Sequence, residues 1–159
     1  MLIFGAAYYI LKPERDRAAK YQLLEFRKTL TAQTLPLRLQ AYERIVLFIE
    51  RVNPSNLLIR LDSTSYSASE LHNLVVNEIR DEYQHNVTQQ IYVSSRAWGI
   101  LKRVKDDTMG IVTNAKKGLP EHATGMDLSR VILMHLSHLE DNPYDIALAV
   151  IREDMEEIF

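Results

Sequence analysis

The stretch Leu35–Val52, LPLRLQAYERIVLFIERV, decides the fold of this chain. On a helical wheel Leu37, Leu39, Ala41, Tyr42, Ile45, Val46, Phe48, Ile49 and Val52 fill well over half of the circumference. A helix that is apolar so far round predicts packing on two sides, so it reads as the spine of a helical bundle. Thr34 is the predicted N-cap, and Pro36 then falls near the first turn, where its missing N–H costs nothing; Asn53-Pro54 supplies the stop. Leu47 alone sits among the polar positions Gln40, Glu43, Arg44, Glu50 and Arg51, which marks it as a contact for a partner.

Outward from this spine, 159 residues suffice for one domain with a sizeable core, and 47% of them are hydrophobic. Glycine and proline are sparse, at five each, and apolar residues recur at helical spacing nearly throughout. The expectation is an all-α fold: a single compact bundle of about six or seven helices with an N-terminal helical extension. Residues 1–33 read as an apolar segment plus a juxtamembrane-like amphipathic helix, and residues 34–159 as the α-helical domain. Absence of cysteine excludes disulfides, thiol nucleophiles and thiolate metal or iron–sulfur sites. The net charge of -2 conceals a gradient: residues 12–51 carry nine Lys/Arg against five Asp/Glu, residues 52–120 eight against seven, and residues 121–159 two against nine. The basic end suits an anionic surface, and the acidic end would be repelled by one.

Leu2–Leu11, LIFGAAYYIL, is uncharged but shorter than the about 20 apolar residues that a bilayer core requires. No basic residue precedes it and no small-x-small site follows, so it is a poor signal peptide. Three readings stand: a buried core helix, an interfacial anchor, or the last half of a membrane helix begun upstream. Tyr8 and Tyr9 followed by Lys12, Arg15, Arg17 and Lys20 match an aromatic belt with a positive cytoplasmic flank, which favours membrane contact through residues 1–12. Ala19, Leu23, Phe26 and Leu30 then form a narrow stripe on an otherwise charged rod. Narrow stripes are seams. Packing within the chain is the expectation and pairing with a second copy the alternative, which makes Leu23 and Phe26 candidate interaction residues.

Downstream, a short helix runs through Leu57, Leu58, Ile59 and Leu61 to a serine-rich turn, and Ser67 or Ser69 caps a helix from Ala68 to about His85, with Glu70 in its first turn. Gln89–Val93, QQIYV, is too short to separate strand from connector. Ser94 or Ser95 opens a long amphipathic helix to about Lys117. Glu121–Met126 is expected to be a flexible loop. Asp127 is the predicted cap of a helix with Leu128, Val131, Ile132, His135, Leu136 and Leu139 on its inner face, and Asn142-Pro143 starts the last helix.

The sharpest chemical signal is Glu78, Glu82 and His85, which continue the stripe begun by Leu71, Leu74 and Val75. Glu82-x-x-His85 has the spacing by which one helix offers a carboxylate and an imidazole to a common metal in di-iron bundles. A complete site wants a second such pair, and the nearest substitute is His135-x-x-His138. A metal site of Glu78, Glu82, His85 and His135 is therefore the alternative; the plainer expectation is that these carboxylates pair with arginines such as Arg44 or Arg130. His135 otherwise reads as a core histidine, and His72 and His122 as exposed. No Gly-x-Ser-x-Gly elbow and no Gly-rich phosphate loop occurs. Asp106 and Asp107 interrupt the basic rim of Lys102, Arg103, Lys105, Lys116 and Lys117, so no nucleic acid is expected as a partner. No catalytic residue and no cofactor are assigned.

Three stretches, LRLQAYERIVLFIERVNPSNLLIRL, EIRDEYQHNVTQQIYVSSRAWGILKRVKD and LSHLEDNPYDIALAVIREDMEEIF, together resemble an uncharacterised bacterial family of unknown function, over most of residues 35–159. The resemblance implies one N-terminal membrane helix followed by a soluble α-helical domain, and it carries no functional residue onto this chain. The resulting expectation is a non-enzymatic helical interaction domain, cytoplasmic and anchored to the inner face of the membrane, whose partner is another protein or a second copy.

Overall fold

In the computed structural model, which describes the backbone of residues 2–157 and the side chains of residues 20–157, six α-helices follow one another: α1 Leu2–Val52, α2 Pro54–Arg60, α3 Ala68–Asn86, α4 Ser95–Lys117, α5 Gly125–Ser137 and α6 Pro143–Glu156. Short 3-10 turns at Ser63–Ser65 and Val87–Ile91 join some of them, the second taking most of the ambiguous QQIYV stretch. The described residues contain no strand, and the fold is all-α.

The chain divides into two compact units, Met1–Leu39 and Gln40–Phe159. In the first unit the described side chains are exposed, apart from the half-buried Leu35 and Arg38. Helix α1 does not begin at Thr34. The Thr34 hydroxyl donates back to Leu30 O at 3.0 Å and lies 3.3 Å from Thr31 O, the bonding that lets threonine sit inside a helix instead of capping one. Pro36 therefore lies in the helix interior, where it forfeits one backbone hydrogen bond. Leu37 and Leu39, expected on the buried arc, are exposed.

In the second unit the spine behaves as its wheel dictates from Ala41 onward. Tyr42, Ile45, Phe48, Ile49 and Val52 are buried in one core with Leu57, Leu71, Val75, Ile79, Leu101, Leu128, Ile132 and Ile151. Helix α3 packs on α4 and α5, α4 on α5 and α6, and α2 on α5. Burying these side chains is worth about 1.5–3 kcal/mol each, which sets the register of every helix against the core.

Local chemistry fixes the helix starts. Asn53, Ser67, Ser94, Thr124 and Asn142 each accept a hydrogen bond from a first-turn N–H of the helix they precede. Ser67 and Glu70 form a reciprocal capping box, and so do Thr124 and Asp127. Asp127 is thus the third residue of α5 and not its cap: its carboxylate reaches back to Thr124 N at 3.0 Å. The two boxes meet at a corner, where Ala68 N donates to Ala123 O at 2.9 Å and Gly125 N to Tyr66 O at 2.8 Å. The Glu121–Met126 segment, expected to be flexible, is tied down there, and Ala123 and Gly125 are buried.

Candidate interaction surface

The seam predicted from sequence lies open. Leu23, Phe26 and Leu30 are 51%, 61% and 44% exposed. Tyr21 and Leu24 are exposed as well, but they lie off the seam, and the basic Lys20 and Arg27, seven residues apart, line one of its flanks. The expectation of membrane contact through residues 1–12 falls outside the described side chains. Among the described residues no helix is long and apolar enough to cross a membrane.

Leu47 is exposed as its polar neighbours implied. It borders a cavity of about 460 Å³ between α1 and α3, lined by Gln40, Glu43, Arg44, Arg51, Glu82, Asn86 and Gln89. Buried Asn86 organises this cleft: its amide donates to Glu82 O at 2.7 Å and its carbonyl accepts from Arg44 Nε at 3.4 Å. Arg51 closes on Glu82 at 2.9 Å.

Two carboxylates of the metal alternative, Glu82 and Glu78, are paired with arginines. Glu82 is engaged by Arg51, and Glu78 by Arg60 at 3.2 Å. The partners differ from the expected Arg44 and Arg130 because Arg51 lies in the last turn of α1 and Arg60 ends α2, and these two reach the α3 carboxylates. His85 is exposed at the end of α3, and His135 sits on α5. Among the described residues no three His, Asp or Glu side chains are gathered to hold a metal ion. His135 is not a core residue either. The large apolar side chains that α5 buries are Leu128 and Ile132, with Leu136 half-buried, which leaves Val131 and His135 outward, and Leu139 just past the helix is exposed too. His72 is half-buried, 3.4 Å from Thr113 Oγ1, instead of exposed.

Two further concavities open on α5, and the sequence reading assigned neither. One, of about 690 Å³, lies against α2 and displays Ile59, Met126, Leu133 and Met134, with Arg130 as its charge. The other, of about 630 Å³, lies between α4, α5 and the start of α6; Ile111, Val131 and Leu139 give it an apolar floor, and Asp106 and Asp107 stand at it. Gly110 also lines this second groove, and a Cβ there would meet nothing within 4 Å. The sequence hides this groove because Val131, His135 and Leu139 share helical spacing with the buried Leu128 and Ile132.

The sequence reading also missed the polar heart of the second unit. Buried Asp154 on α6 accepts from Tyr42 Oη and from Ser94 Oγ at 2.7 Å, while Tyr42 Oη accepts from Ser94 N at 3.2 Å. Burial, and then the bond to Asp154, push the Tyr42 phenol above its usual range. Ser94 Oγ in turn caps α4 through Ala97 N at 3.0 Å, so one carboxylate ties α1, α4 and α6 together. These groups are satisfied by one another, which makes them a structural clamp.

Fold and surfaces together define an all-α helical-bundle protein whose open features are apolar seams and grooves. Residues 1–158 match a family of unknown function, DUF7935, and the chain belongs to that family. No curated protein and no solved structure matches it.

Proposed function

We propose that this is a non-enzymatic helical protein that acts by binding another protein chain at the cytoplasmic face of a membrane, held there through residues 1–12. The observation that supports it is the open seam: Leu23, Phe26 and Leu30 recur on one line of a helix and remain exposed, an arrangement that leaves apolar area for a partner to cover. Tyr8, Tyr9 and the basic residues that follow support the tether.

A photo-activatable phenylalanine analogue placed at Phe26 in the full-length chain, in cells, tests the binding role. Covalent adducts to protein are expected from position 26, and they should disappear when Leu23 and Leu30 are changed to Asp. Adducts no stronger than those from an analogue at exposed Glu121 would overturn the reading. The tether is checked separately: deleting residues 1–12 should move the protein from the membrane fraction to the soluble one.

A further inference from the structure

The three concavities differ in what they could receive. The Leu47 cleft is polar and internally paired, and the α2/α5 groove carries Arg130, of the same sign as the flank of the seam. Of these three, the α4/α5 groove couples an apolar floor of Ile111, Val131 and Leu139 to two acids, Asp107 and Asp106, the latter met by Lys105 Nζ at 2.7 Å. Exposed Glu140 and Asp141 follow Leu139 directly in the chain and extend the negative charge. A glycine inside a helix costs roughly 1 kcal/mol against alanine, and among the described residues no atom lies within 4 Å of where a Gly110 Cβ would stand to offset it. The bare backbone there allows another helix to approach closely.

The seam around Phe26 is the complementary shape and charge. Its apolar line is narrow enough to enter a groove, and Lys20 and Arg27 flank it on one side, two turns apart. A seam this narrow fits a helix groove better than a bilayer surface, which wants a broad apolar face. Building on the binding role proposed above, we infer that the α4/α5 groove receives the seam helix, residues 20–37, of a second copy of this chain. The interface is heterologous: seam and groove are different surfaces, so each copy offers one of each. Opposite charges across it set the pairing and make it sensitive to salt.

Charge reversal tests this on the full chain by sedimentation. Wild type is expected to show concentration-dependent association below about 100 µM that weakens as NaCl rises from about 0.05 to about 0.5 M. The double variants D106K/D107K and K20E/R27E should each associate about tenfold or more weakly on their own, and mixing the two should restore association. Restoration also proves that both variants are folded.

Three results would overturn the inference: a wild type that stays monomeric, D106K/D107K assembling like wild type because the seam pairs with itself, or no recovery on mixing. A monomeric wild type that still cross-links from position 26 to a different protein would remove this partner and leave the binding role standing.

Discussion

Tyr144 shows how one side chain ties stability to pH. Its ring is buried in the core, and its hydroxyl lies 2.8 Å from Thr108 Oγ1. The Thr108 hydrogen is committed to Val104 O at 2.7 Å, so Tyr144 is the donor. Burial pushes the phenol from 10.0 up to about 12. The folded chain holds this proton more tightly than the unfolded chain does, so the contribution is whole below the unfolded value and is lost as pH rises through the folded one. Between pH 10 and pH 12 wild type should lose on the order of 2 kcal/mol that Tyr144→Phe does not lose. Denaturant titrations of both proteins across that window measure the difference; equal slopes would refute it. Near neutrality the variant should cost about 1 kcal/mol for the missing bond. None of this was visible in the sequence, because neither Thr108 nor Tyr144 signals its partner 36 residues away. Asp154 was hidden for the same reason: an acid near the end of an acidic helix reads as solvated until Tyr42 and Ser94 are seen to converge on it.

At the scale of elements, the sequence was legible where the information is local. Ser67 and Ser94 were among the expected caps, and α3, α4 and α6 start where their capping residues say. Errors arose where two local signals compete. Thr34-Leu35-Pro36 has the grammar of a helix start, yet the Thr34 hydroxyl satisfies itself within the turn and α1 continues. Asp127 and Thr124 are both good caps, and the reciprocal box with threonine at the cap won, moving the start of α5 to Gly125. That position leads to a test. A Cβ on Gly125 would stand 2.3 Å from Ser63 O and 2.9 Å from Tyr66 O, both backbone atoms that the α3–α5 corner holds in place. Gly125→Ala should therefore destabilise by about 1–3 kcal/mol, read as a lowered unfolding midpoint. Gly99→Ala, where a Cβ meets nothing within 4 Å, is the contrasting case and should stabilise by roughly 0.5–1 kcal/mol.

At the scale of the whole molecule, the two units have different claims on stability. Every buried hydrophobic residue among those described lies between Ala41 and Ile151, inside Gln40–Phe159. A chain of residues 40–159 alone should fold in one cooperative transition, with a midpoint within about 5 °C of the full chain. Trp98, the sole tryptophan, lies 5.7 Å from the Tyr83 ring and reports that transition by fluorescence. Loss of the transition in the shortened chain would show that the first unit carries part of the fold. The charge gradient, by contrast, was readable from the outset, because counting charges needs no contacts.

The corner where α3 and α5 begin has one more consequence. Ala68 and Gly125 each give their amide hydrogen to the other segment, so neither helix can fray from its start without releasing the other. Exchange of these two hydrogens with solvent deuterium should therefore proceed at a common rate, set by a single joint opening. Segments far apart in the chain thus share one hinge pin, and the loop between α4 and α5 inherits the rigidity of the helices it joins.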